Sequence, residues 1–258
     1  MGISIVDVAV AGLAFVLLAL FFLLLRHTAR SRRPASTPST VVSAAMQSPI
    51  RARLDAAVRA NHGDGPVVVS GGSFLTEGRF RNTTAARVGR EGEDRVLAEV
   101  ERALDSRWYV FRNMILPGSN GDLDLVLVGP GGTLVLEVKA YSGDWRVEKG
   151  RWYKRTSNGY WAHQPFGPGA QAIENAKRLC LYLKAGGMTA GVGVNPVVVL
   201  AGDAHIDFES AGTKIWRQQD LPDRLAKLSR RTDHASAQVQ QIATLLMAGT
   251  LAAQPLAS

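Results

Sequence analysis

The sequence predicts a mixed α/β domain, a β-sheet flanked by helices, behind one N-terminal membrane-spanning helix. Three observations carry this expectation. Residues 3–25, ISIVDVAVAGLAFVLLALFFLLL, are apolar almost without interruption, Asp7 being the one charge. From residue 88 onward, stretches with helical spacing of apolar residues alternate with runs rich in β-branched and aromatic residues. Two of those runs, in GDLDLVLVGPGGTLVLEVKAY (121–141), carry Asp122, Asp124, Glu137 and Lys139 where a sheet interior would ordinarily be apolar.

A helix of roughly 20 apolar residues crosses a bilayer, so 3–25 reads as a transmembrane span. A cleaved signal would place positive charge before the apolar run and small residues after it. Here MGISIVD holds no Lys or Arg, while Arg26, Arg30, Arg32 and Arg33 follow the run, and positive flanks stay on the cytoplasmic side. Residues 1–33 are therefore expected to be an uncleaved anchor, N-terminus outside, with the C-terminal domain in the cytoplasm. Residues 34–49, PASTPSTVVSAAMQSP, have a linker's composition. Residues 50–87 read as an extension, with a short helix at 50–60 and no sustained periodicity over 63–87. Residues 88–258 form the main domain.

The formal charge of +8 divides into +3 on residues 1–33 and +5 on the remainder. That balance is mildly basic and suits either nucleic acid or an anionic membrane surface. One cysteine, Cys180, excludes an internal disulfide framework and a cysteine-rich zinc site. Its helical setting makes it a small buried apolar residue. There is no G-x-S-x-G elbow, no H-E-x-x-H and no G-x-x-x-x-G-K, which sets aside those hydrolase and nucleotide-binding schemes.

Taken in order, VGREGEDRVLAEVERALDS has apolar residues at 96, 97, 100 and 104, one face of a helix. WYVFRNMIL (108–116), DLDLVLVGP (122–130) and GTLVLEVKAY (132–141) predict three strands. DWRVEKGRWYKRT predicts a hairpin turning at Lys149-Gly150. Residues 169–185 predict a helix stopped by Gly186-Gly187. NPVVVLAG and TKIWR predict two more strands, and helical patterns at about 220–230 and 234–248 close the chain.

A tight turn at Pro130-Gly131 pairs residue 128 with 133, and hence Asp124 with Glu137 and Asp122 with Lys139. Directly opposed residues share a face with Cβ atoms roughly 4.5–5.5 Å apart, where like charges repel. Two carboxylates held together in an apolar sheet need a shared proton or a cation. A hard divalent ion such as Mg²⁺ takes oxygen ligands and leaves positions for water and phosphate. Alternatively, Asp122 and Lys139 form a salt bridge at a strand end while Asp124 and Glu137 reach water. A loop one residue longer or shorter would also move Glu137 to the other face.

GREGE (89–93), GDLD (121–124), LEVK (136–139) followed by SGDW, and a helix with Gln171 and Asn175 together resemble the nuclease-related domain (NERD) family. That family is related to the PD-(D/E)xK nuclease superfamily. The resemblance covers about residues 88–185 and implies a restriction-endonuclease-like mixed sheet flanked by helices. It implies that Asp124 and Glu137 ligate Mg²⁺ (or Mn²⁺) and that Lys139 orients or activates the attacking water in phosphodiester hydrolysis. Glu93 falls on the inward stripe of Leu97, Val100 and Leu104, which suits a supplementary ligand or acceptor, or simply a helix N-terminal acid. Gln171 matches the family's helical glutamine, positioned for water or phosphate, or else solvated; Asn175 follows one turn later. No Pro precedes Asp124, so Asp122 shares the candidacy as ligand or as partner of Lys139.

Residues 145–155, WRVEKGRWYKR, interleave Trp145, Trp152 and Tyr153 with Arg146, Lys149, Arg151 and Lys154. Such a hairpin suits a nucleic-acid surface of cations and stacking rings, or a sheet cover whose charges face solvent. His163 has no spaced partner and reads as a loop residue. The expected function is a membrane-anchored, metal-dependent nuclease acting on nucleic acid, DNA before RNA. The rival is a non-catalytic, membrane-tethered nucleic-acid-binding or scaffold module on the same fold.

Overall fold

A computed structural model describes residues 50, 52, 54–58, 63–71, 83–119, 121–165, 167–188, 192–208 and 212–252. The expected membrane span at 3–25 and the linker at 34–49 lie outside the described residues. Among those described, no helix is long and apolar enough to cross a membrane.

Among the described residues, ten strands form two sheets. The larger has the order β1 (Val67–Ser70), β2 (Tyr109–Ile115), β3 (Asp122–Gly129), β4 (Gly132–Lys139), β8 (Val194–Leu200), β10 (Lys214–Arg217). Its β2–β3–β4 centre is antiparallel, while β1 joins β2, and β8 joins β4 and β10, in parallel. The smaller sheet has the order β7 (Trp161–Gln164), β6 (Arg151–Arg155), β5 (Asp144–Glu148), β9 (His205–Phe208).

Strand β4 is buried from Gly132 to Val138, as a strand covered on both faces must be. One face packs Tyr109, Phe111, Val126, Val128 and Val135 against α2 (Pro168–Ala185) and α4 (Ser236–Ala252). The other packs Val110, Leu125, Leu127, Leu134 and Leu136 against α1 (Thr84–Ala103) and α3 (Leu221–Ser229).

The helices start where local chemistry allows. The Thr83 hydroxyl accepts from the Ala86 amide and satisfies one of the free N–H groups of α1. Pro168 opens α2, where its missing N–H costs nothing. At the β5–β6 turn Lys149 and Gly150 both have positive φ, 48° and 78°, the backbone of a two-residue hairpin turn.

Three expectations change. The 63–87 stretch contains β1 and the first turn of α1, which begins at Thr84. β1 is four residues long, too short for a periodic signal. His163 sits exposed in β7 and not in a loop. Cys180 is half-buried, its Sγ 3.4 Å from the Val192 carbonyl oxygen.

Candidate active site

Hydrogen-bonded pairing between β3 and β4 runs from Gly129↔Gly132 to Leu125↔Leu136, the register a turn at Pro130-Gly131 dictates. There the ladder stops. The Val138 amide, the next donor on that edge of β4, bonds the Asp124 side chain, N to Oδ2 2.7 Å. A carboxylate has taken the place of a strand carbonyl, and the two strands part around it. Beyond this point β3 continues with β2, through Met114↔Leu123 and Ile115↔Asp122. Strand β4 continues with β8 as far as Lys139↔Leu200. Asp122 thus leaves Lys139 and lies opposite Ile115, so the alternative reading, an Asp122–Lys139 bridge, does not form.

Glu137 is fully buried among apolar neighbours. Its Oε1 accepts from Lys139 Nζ at 2.5 Å and its Oε2 from Asn175 Nδ2 of α2 at 3.0 Å. Both oxygens of a buried carboxylate therefore have partners, as desolvation demands.

Glu93 enters from the opposite face of the sheet, on α1. Gly92 makes that approach possible, since a Cβ there would stand 2.9 Å from Ala140 Cβ and 3.3 Å from Ala201 Cβ. Arg112 of β2 ties this helix down, with Nη2 3.9 Å from Glu93 Oε2 and also bonded to Asp94.

The electrostatics follow from crowding three acids in little water. Burial, and then the charge of Asp124, push Glu93 up to about 7 against the pull of Arg112. Burial, and then Asp124 again, push Glu137 up to about 7 against the pull of Lys139. Burial raises Asp124 as well, with Lys139 opposing. Burial alone would lower Lys139, yet Glu137 and Asp124 outweigh it and the ammonium is held more firmly protonated.

Two carboxylates from opposite arms of a fork, a third across the sheet and one ammonium make a site with an excess of acceptors. No group of three His, Cys, Asp or Glu among the described residues is gathered as a ready metal cage. The donor set still fits Mg²⁺, which is held by one or two carboxylates and keeps its remaining positions for water and phosphate.

The other expected site residues are scattered. Gln171 is exposed in the first turn of α2, and Asn175, one turn on, is the residue that reaches the acids. The family resemblance points to Gln171, but helix periodicity does not tell which turn passes the strand, and it is Asn175 that bonds Glu137. Arg112 went unnoticed, being an ordinary cation inside a β-run.

Of the two readings of the basic hairpin, the tryptophans follow the sheet cover. Trp145 and Trp152 are buried, with Val147, in a third apolar cluster and cannot stack on bases. Arg146 lies 4.5 Å from the Trp161 ring centroid and Lys154 lies 5.4 Å from that of Trp145, while Lys149 and Arg151 are exposed. Its charges remain available at the surface; its two tryptophans serve the core, while Tyr153 lies half-buried beside His163.

A cleft of about 600 Å³ opens at the C-terminal ends of β8 and β10, bordered by Glu99, Leu200, Asp203, His205, Arg217 and Gln218. Leu200 is the register neighbour of Lys139, so the cleft begins one strand away from the acids.

Compared with known proteins, residues 88–201 match the family model described as nuclease-related domain (NERD). No curated protein and no solved structure matches the chain.

Proposed function

We propose that the chain, whose residues 88–201 match the nuclease-related domain model, is a divalent-metal-dependent phosphodiesterase whose centre lies in the fork between β3 and β4. The supporting observation is the convergence of Asp124, Glu137 and Lys139 where the β3–β4 ladder ends, with the acids held above their ordinary pKa values. Acids that resist ionisation together stand ready to gain from a cation.

Asp124 and Glu137 would hold Mg²⁺ or Mn²⁺, Asp124 through the oxygen that Val138 does not engage. When bound, such an ion polarises a phosphoryl oxygen and acidifies water. Lys139, kept protonated by its acidic neighbours, stabilises negative charge growing on a phosphate. Asn175 fixes the Glu137 carboxylate through Oε2. Glu93, held above the ordinary carboxylate range by burial and by Asp124, can accept or return a proton across the fork. On this reading the fold is restriction-endonuclease-like, the substrate is DNA before RNA, and residues 3–25 anchor the domain to the cytoplasmic side of a membrane.

The full chain with Mg²⁺ or Mn²⁺ should cut single-stranded DNA, double-stranded DNA or RNA. Asp124→Asn and Glu137→Gln should each lower that rate at least about 100-fold. No cleavage of any of the three polymers by the wild-type chain would remove the enzymatic reading. The rival, a tethered nucleic-acid-binding module, has one observation in its favour: Lys139 and Asn175 already satisfy Glu137 without an ion. Retained binding without cleavage would select it.

A further inference from the structure

Asn113 has φ +50°, in the left-handed region. Apart from Lys149, in its hairpin turn, it is the only non-glycine residue with positive φ among those described. Yet Asn113 sits inside a strand. Arg112↔Leu125 and Met114↔Leu123 flank it, so its register position is opposite Asp124.

The inward-outward alternation of both strands inverts at that row. Before it, odd-numbered Tyr109 and Phe111 face the core shared with α2 and α4, and even-numbered Val110 faces the α1 side. After it, even-numbered Met114 and Leu116 face the α2 and α4 side. On β3, Val126 and Val128 face α2 and α4 while Leu125 and Leu127 face α1, but Leu123 returns to the α2 and α4 side. In an uninterrupted strand Leu123 would follow Leu125, because side chains alternate strictly. Asp124 occupies the crossover, and its carboxylate bonds the Val138 amide in the gap between strands.

Gly71 clamps the inversion from the neighbouring strand. Its amide donates to the Arg112 carbonyl at 2.7 Å, and a Cβ on Gly71 would lie 2.5 Å from the Asn113 carbonyl oxygen. Asparagine tolerates left-handed backbone, and glycine alone leaves room for the displaced peptide.

We propose that Asn113, with Gly71 behind it, is the positioning residue that turns Asp124 off the sheet face and into the fork, where one carboxylate meets Glu137 from one side and Glu93 from the other. The inference rests on the proposed metal centre for its purpose and on backbone geometry for its content.

The test is residue-resolved amide exchange on the full chain, with Mn²⁺ calorimetry alongside. Asn113→Gly, free to keep the conformation, should preserve Val138 protection and leave Mn²⁺ affinity within about threefold of wild type. Asn113→Ala and Gly71→Ala should lower protection at Val138 at least about tenfold while Leu136, the preceding amide on that edge, stays protected, and should weaken Mn²⁺ binding by about 10–100-fold. Val138 protection unchanged in both alanine variants overturns the proposal. So does an equal loss at Val138 and Leu136, the mark of general destabilisation. If Val138 responds selectively but wild type binds no Mn²⁺, the positioning role stands and the metal reading fails.

Discussion

Lys139 has two jobs that a single substitution separates. Removing it leaves Glu137 buried beside Asp124 with one of its oxygens unpartnered, an arrangement that costs about 3 kcal/mol when the acid is ionised. Lys139→Ala should therefore lower the melting temperature more at pH 8 than at pH 5.5, where Glu137 takes a proton and sheds the charge. A shift that is the same at both pH values would mean that the lysine acts by packing alone. Asn175→Ala removes a bond to a charged acceptor, worth about 1.5–3 kcal/mol, and circular dichroism melts should record a loss of that order. The acids themselves stand out in the sequence, because charge in an apolar strand has to be explained; hairpin arithmetic sets Asp124 opposite Glu137, whereas the observed ladder ends one pair earlier, at Leu125↔Leu136. Asn113 was not legible: an asparagine in a β-run carries no sign that its φ is positive.

At the scale of elements, α1 shows how close packing sets the place of a side chain. In an exposed helix interior, Gly→Ala stabilises by about 1 kcal/mol. At Gly92 the added methyl meets Ala140 and Ala201, and relieving such overlap costs about 1–3 kcal/mol. Gly92→Ala is thus expected to destabilise, and to push Glu93 away from the fork; a denaturant midpoint equal to or above wild type would contradict this. The helix itself was readable from Val96, Val100 and Leu104. The need for Gly92 was hidden, since only the crossing with β4 and β8 reveals it. The basic hairpin was read correctly in its turn at Lys149-Gly150, whereas alternation alone left open whether Trp145 and Trp152 face a ligand or the core.

For the whole molecule, raised acid pKa values couple folding to pH and to ions. Glu93 and Glu137 bind protons more tightly folded than unfolded, so between their ordinary carboxylate range and about 7 the native state holds more protons. Without divalent ions, stability should fall as pH rises through that window and level off above it. A cation that binds only the native state reverses the trend, and binds better once those protons have left. Melting curves at pH 6 and pH 8, with and without 5–10 times the dissociation constant of Mn²⁺, should therefore show a larger ion-induced gain at pH 8. An equal gain at both would separate the acids from the ion site.

The β3–β4 turn carries a consequence for the chain beyond residue 201. A side chain at Gly131 would run into the Leu228 carbonyl, the His234 amide donates to the Pro130 carbonyl at 3.0 Å, and the His234 ring lies 3.3 Å from the Thr133 hydroxyl. The end of α3 and the loop that follows it thus roof the closed end of the same ribbon whose open end holds the acids. A chain cut back to residues 88–201 would keep every reactive group and lose these contacts at the turn, and is expected to melt below the full chain.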